Sequence, residues 1–249
     1  MKSLKTWKSR FVRFSRISIF KTLYLNFRCL PLKQACKIPI LVGYGTILRN
    51  LNGKIVIKSD KIRLGMIQFG INQIFNSCNS YKTIIENNGL LVFNGIATFQ
   101  SGIVLKTFKT GKIEFGLKFS LGRFSQIISK SNVRFGSYCR CSWNVYISDT
   151  DFHYVKNIDT GEVKNNTKRV IIGNNCWIAN NVSISKGSII PDNNIIASNS
   201  YVNKVFCESN TLLAGIPTSI KGRNCIRVFD AMEEFKWNKF YNWKKERPW

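Results

Sequence analysis

The chain has 249 residues and a single histidine, His153. It closes the run Ser148-Asp-Thr-Asp-Phe-His. A neutral imidazole, with an ordinary pKa near about 6.5, is the best base a protein can offer to a hydroxyl at neutral pH. Asp149 and Asp151 lie close enough in sequence to hold such a ring in one tautomer, as a carboxylate does in hydrolytic triads. Each residue also has a plainer reading: His153 as a histidine without a role, the two aspartates as turn formers. A metal is not expected. Three-histidine zinc sites are out of reach, and Cys139-Arg-Cys141 lacks Cys-x-x-Cys spacing.

The elements that would carry these residues announce themselves by a period of six. Ile172, Ile178, Ile184, Ile190, Ile196 and Val202 are evenly spaced, with Val170, Cys176, Val182, Ser188, Asn194 and Ser200 two places earlier. A helix repeats at three and four and a lone strand at two. A period of six fits a parallel β-helix in which three hexads close one coil. Positions two apart share a strand face, so both series point inward. Asparagines at 174, 175, 180, 181, 193 and 194 suit the bends.

Upstream, Leu91, Ala97, Ile103, Lys109, Phe115, Leu121, Ile127 and Val133 keep the same spacing. Lys109 is the misfit and belongs at a solvated corner. After Ile127 the register moves by two, to Phe135, Cys141 and Ile147, which keeps inward faces inward. From Gly43 to Gly89 the pattern is weaker. Residues 154–169 are polar and aperiodic and read as a loop ejected from the coil, a place where function often sits.

The fold expected is therefore an all-β solenoid. Residues 1–42 form a basic amphipathic helical extension, 43–220 the β-helix, and 221–249 a C-terminal helical cap over its open end. In the extension Trp7, Phe11, Phe14, Ile17, Phe20, Tyr24 and Phe27 recur at helical spacing among lysines and arginines. Two roles stay open for it: packing on the solenoid or a neighbouring subunit, or lying on an anionic membrane leaflet.

The net charge is +25, and no acidic residue precedes Asp60. That balance points to anionic partners, whether membrane surface, glycan or nucleic acid. Aromatic and lysine residues form no recognisable nucleic-acid motif, so no nucleic acid is expected. Cys139, Cys141 and Cys176 fall on inward positions and read as small hydrophobes in a reducing, cytoplasmic setting. No signal peptide or spanning segment is evident, so cytoplasmic placement is expected, with peripheral contact at the inner leaflet as an extension of it.

The run IGNNCWIANNVSI, then IIASNSYVNKVF, then LLAGIPTSIK resembles the C-terminal signature of the hexapeptide-repeat acyltransferases. The resemblance implies a left-handed β-helix, an exception to the usual right-handed crossover. It also implies a homotrimer and transfer of an acyl group from acetyl-CoA. DTDFH before a polar loop is similar to the stretch in which sugar O-acetyltransferases of this family carry a catalytic histidine. SWNVYISDTDFH and the N-terminal extension look more like capsule-type than maltose-type members.

On that likeness His153 is the general base, with Asp149 or Asp151 orienting it. Ala179, Asn180 and Ser198 would lie beside the pantetheine arm. Lys204 would reach phosphate, with Lys186, Lys221 and Arg223 as further candidates. Trp177 would line the groove or a subunit contact, and Pro217, at the exit from the coils, would be a further cofactor-binding residue. Ala197-Ser-Asn-Ser200 departs from the usual Gly-Ala-Gly-Ser, which makes close backbone approach less assured. The function implied is O-acetylation of a sugar hydroxyl in a bacterial surface polysaccharide or lipid-linked glycan. N-acetylation of an amino sugar and a non-catalytic anion-binding module are the alternatives. Products formed with hydroxyl and amine acceptors, and coenzyme A binding, separate the three.

Overall fold

The structure is a computed structural model that describes residues 16–71 and 82–245. The chain winds into a left-handed, three-sided prism of parallel strands. Face one stacks eight parallel strands, from Ile40–Val42 to Thr211–Ala214, and Ser219–Arg223 adds antiparallel at the end as the ninth. Face two has seven, from Thr46–Arg49 to Tyr201–Val202, and face three has six, from Lys54–Ile57 to Ile189–Ile190. In each coil the chain passes from face one to face two at a first corner. It turns from two to three at a second corner and from three back to one at a third.

The inward series read from the sequence is the core. Ile172, Ile178, Ile184, Ile190, Ile196 and Val202 are all buried, as are Val170, Cys176, Val182, Ser188, Asn194 and Ser200. Two apolar neighbours on one strand face, stacked coil on coil, bury about 2 kcal/mol per aliphatic side chain. The bends are made by asparagines at positive φ: Asn175, Asn181, Asn193 and Asn199. Their side chains chain together from coil to coil, Asn144 to Asn181 to Asn199 at the first corner and Asn175 to Asn193 at the third. The short amide makes the left-handed backbone tolerable and also satisfies its neighbour.

The upstream register differs in detail. Lys109 is exposed at a corner, as expected. The steps between inward pairs, however, are six or eight residues at several corners rather than six with one slip. The strand pairs facing inward run Ala97/Phe99, Leu105/Thr107, Ile113/Phe115, Phe119/Leu121 and Ile127/Ser129. Coil length accordingly falls along face one. Thr98 pairs with Ser120, Ser120 with Arg140, and Trp177 with Ile195, which are 22, 20 and 18 residues apart. The longer coils enclose Phe69, Phe93, Phe99, Phe115, Phe119 and Phe135, an unbroken aromatic stack with centroids 4.6–6.4 Å apart. Every extension is even, so no inward side chain is turned out.

Among the described residues, both termini differ in detail from the pattern expected. The N-terminal helix spans Ile19–Cys29, capped by Ser18. Residues 16–18 just before it are not helical: Ile17 bridges to Gly43, and Ser18 N–H donates to Val42 O. Trp7, Phe11 and Phe14 lie outside the described residues. The helix packs on the prism through Thr22, Leu25 and Asn26, the side opposite its aromatic stripe. The reason is the free edge of the first strand. Asn26 donates to Ile40 O and accepts from Ile40 N–H, and Thr22 Oγ1 accepts from Val42 N–H. Unpaired strand groups need partners, and apart from the Ser18 N–H the helix supplies them with the polar side chains of Thr22 and Asn26.

The C-terminal helix, Ala231–Lys245, forms but does not close the open end. Its Met232, Phe235, Trp237 and Phe240 are exposed. The segment leading to it doubles back over face one, where Arg227 lies on Trp177 and Arg140 on Phe229. The antiparallel strand Ser219–Arg223 covers the last edge of face one instead.

Candidate functional site

His153 emerges at the second corner of the fifth coil, directly after the face-two strand Tyr146–Ser148. There the chain leaves the prism and returns at Val170, and the excursion is a small antiparallel hairpin, Val155–Lys156 with Val163–Lys164. Its neck is zipped shut. Lys168 N–H donates to Asp149 O, Thr150 bridges Thr167, and Asp151 N–H donates to Asn166 O. Asn166 Nδ2 also donates to Phe152 O. Phe152 takes φ +65°, which turns the chain so that His153 N–H donates to Asp151 O at 2.8 Å. The imidazole itself is exposed, and no described residue hydrogen-bonds it.

The two aspartates do other work here. Asp149 is fully buried. Its oxygens accept from Lys130 N–H at 2.7 Å, Ser131 N–H at 2.9 Å and Ser129 Oγ at 2.7 Å, all in the preceding coil. That carboxylate is engaged in tying the neck to the prism rather than in holding the imidazole. Asp151 pairs with Lys186 Nζ at 2.6 Å, and the same amine donates to Asn165 O at 2.7 Å. Lys186 thus bridges the two strands of the neck from the coil below.

The remaining residues named for a cofactor divide between places. Ala179, buried, and Asn180 sit at the first corner, and Ser198 lies one coil on, its Oγ donating to Asn180 Oδ1 at 2.7 Å. Trp177 is on the outer side of face one, as alternation required, with Nε1 donating to Ser142 Oγ at 3.4 Å. Lys204 is exposed at the second corner, with its ammonium over the Phe206 ring. Pro217, after a cis Ile216–Pro217 bond, and Lys221 are exposed at the C-terminal end. Arg223 is paired with Glu208.

The first corner also holds a cavity of about 480 Å³ that the sequence reading missed. Arg123, Arg140 and Arg227 line it together with Phe124, Ser142 and Trp143. Arg123 is buried and lies over Phe124, and Arg227 is held between Trp177 and Phe229. Burial, with the nearby Arg140 charge, pushes the Arg227 pKa below its ordinary value. Three guanidiniums against aromatic rings make a site suited to an oxyanion such as a carboxylate or phosphate. The signal for Arg140 was present in sequence, since it stands outward between Cys139 and Cys141. Arg227 reaches it only because the chain doubles back. The cavity and Ala179, Asn180 and Ser198 share one corner, whereas His153 is on the other side of face two. No cluster of metal-ligating side chains occurs among the described residues.

Comparison with known proteins matches residues 169–204 to the family described as bacterial transferase hexapeptide (six repeats). An uncharacterized 24.8 kDa protein in the cps region of Klebsiella pneumoniae is 32% identical over 212 residues, 85% of this chain and 90% of that protein. A polysialic acid O-acetyltransferase of Neisseria meningitidis is 30% identical over 117 residues, 46% of this chain and 54% of that protein. Among solved structures, the polySia-specific acetyltransferase NeuO superposes with a TM-score of 0.52 at 19% identity, covering 82% of this chain and 91% of that one. This last likeness is one of fold.

Proposed function

The chain belongs to the hexapeptide-repeat acyltransferases, and from that premise we propose that it moves the acetyl group of acetyl-CoA to a sugar hydroxyl of a bacterial surface polysaccharide or lipid-linked glycan. One observation carries the proposal: the chain's sole imidazole stands exposed on a braced neck where the solenoid ejects its loop. The Neisseria relative, named for O-acetylation of polysialic acid, supports the acceptor class. The arginine cavity supports an acceptor with acidic groups, whose carboxylates would meet Arg123, Arg140 and Arg227.

In the reaction an imidazole nitrogen of His153 takes the proton of the acceptor hydroxyl as that oxygen attacks the thioester carbonyl. The tetrahedral adduct collapses, the C–S bond breaks, and the imidazolium returns the proton to the departing thiolate. Donors for the oxyanion come from backbone N–H groups of a facing coil. Asp149 and Asp151 act at one remove, fixing the neck and, through it, the ring.

Coenzyme A lies along the first corner, its pantetheine beside Ala179, Asn180 and Ser198, with Trp177 at the groove's edge and, toward its phosphates, Lys221 and the Lys204 that a neighbouring copy offers from its second corner. Within one copy that corner and His153 are separated by the strand Tyr146–Ser148, about 10 Å long. Copies meeting as a trimer, the second corner of one against the first corner of the next, bring base and thioester together. Acetyl-CoA places the reaction on the cytoplasmic side.

The test incubates the protein with acetyl-CoA and a de-O-acetylated acidic polysaccharide, with products read by mass spectrometry and base-labile ester analysis. Ester formation that is lost in His153→Ala supports the reading. Base-stable amide formation, or undiminished transfer by the variant, overturns it.

A further inference from the structure

We propose that the N-terminal end of the prism docks on an anionic lipid bilayer through the outward face of the helix Ile19–Cys29. Hydrogen bonds between successive coils run along the prism axis. Thr22 and Asn26 receive those of the first strand, so this helix lies across the end of the prism. Its opposite side therefore points away from the protein, along the axis. That side carries Ile19, Phe20, Leu23, Tyr24 and Phe27, exposed by 70%, 80%, 39%, 47% and 50%. The Phe20 and Tyr24 rings lie parallel, 8° apart with centroids at 6.4 Å, and Leu32 continues the apolar surface. A surface helix ordinarily turns such a stripe inward. Here polar side chains occupy the inner face because the strand edge requires them.

Charge selects the occupant. Arg28, Lys33 and Lys37 are exposed around the stripe, and Lys21 is bound to Tyr44 O and Thr46 O at its rim. The upstream sequence adds Lys2, Lys5, Lys8, Arg10 and Arg13, and no carboxylate side chain precedes Asp60. A second copy would bring the same cations to the contact and be repelled. An anionic bilayer takes both features, with aromatic and aliphatic side chains in the headgroup boundary and basic side chains toward the phosphates.

End-on docking would stand the prism upright. Four strand spacings separate Ile40–Val42 from Arg140–Cys141 on face one, so the coil bearing His153 would ride about 30 Å above the lipid, helix included. That height suits sugars some units out from a lipid anchor. This consequence rests on the acetyl-transfer reading, whereas the docking does not.

The experiment co-sediments the full chain with vesicles of phosphatidylcholine, alone or with about 30% phosphatidylglycerol. Binding should be at least about tenfold stronger to the anionic vesicles and weaken with salt. Phe20→Asp/Phe27→Asp should lose at least about tenfold of it, and Arg28→Glu/Lys33→Glu should lose the anionic preference. Oligomeric state and transfer to a soluble glycan fragment should remain unchanged in both. Three outcomes overturn the proposal: equal partitioning onto neutral vesicles, undiminished binding by both variants, or a change of oligomeric state in the phenylalanine variant. A protein that binds vesicles but transfers no acetyl group refutes the proposed reaction and leaves the docking standing.

Discussion

Replacing Asp149 by asparagine separates two roles that a carboxylate near a catalytic imidazole can have. If it oriented His153, the amide would keep the fold and cost about 10⁴ in kcat, as in hydrolytic triads. The geometry predicts the reverse emphasis. Asp149 accepts three hydrogen bonds from the preceding coil, two of them from backbone N–H groups of Lys130 and Ser131. Asparagine retains one oxygen and turns an NH₂ toward the second donor, leaving one buried N–H unsatisfied, at about 2 kcal/mol. Alanine leaves both unsatisfied, at about 4 kcal/mol, while the Ser129 hydroxyl turns its proton to Lys112 O, 3.0 Å away. Urea unfolding followed by circular dichroism reads the loss, with the midpoint moving in the order wild type, asparagine, alanine. Transfer activity should fall modestly and in step with stability, because the neck loosens before the ring is lost. An asparagine variant of undiminished stability whose kcat collapses would refute this account and restore the orienting role.

His153→Ala should fold as wild type by circular dichroism and lose about 10³ in kcat, measured with acetyl-CoA and polysaccharide. Arg140→Ala/Arg227→Ala should raise KM for an acidic acceptor about tenfold or more with little change for coenzyme A; the opposite split would assign the cavity to the cofactor's phosphates. Phe115→Ala removes a buried ring that stacks with Phe93 and Phe135, and should cost about 4 kcal/mol by urea unfolding. Cys176 lies buried beside the Cys139 thiol, with its Sγ donating to Pro191 O, and Cys141 is buried. Their thiol pKa values are raised, so at pH 8 both should resist a disulfide reagent that labels the exposed Cys36 and Cys207 at once.

Much of this molecule was legible from spacing. The hexad period placed Ile172 through Val202 inside, the asparagines at the bends and residues 154–169 outside, because each follows from local backbone geometry: alternating strand faces, and amides that tolerate positive φ. His153 was legible for a similar reason, as a rare residue at a break in a strict period. Only the tertiary structure decided what depends on distant segments meeting. Strand-edge hydrogen bonds from Ile40 and Val42 drew Thr22 and Asn26 inward and turned Phe20 and Phe27 out, against the helix's own pattern. The doubling back of residues 224–230 brought Arg227 to Arg140, and the packing of Asp149 under the neck took it away from the imidazole. Periodicity encodes which way a side chain points along its own strand, whereas partners across coils are chosen by which unpaired groups must be satisfied.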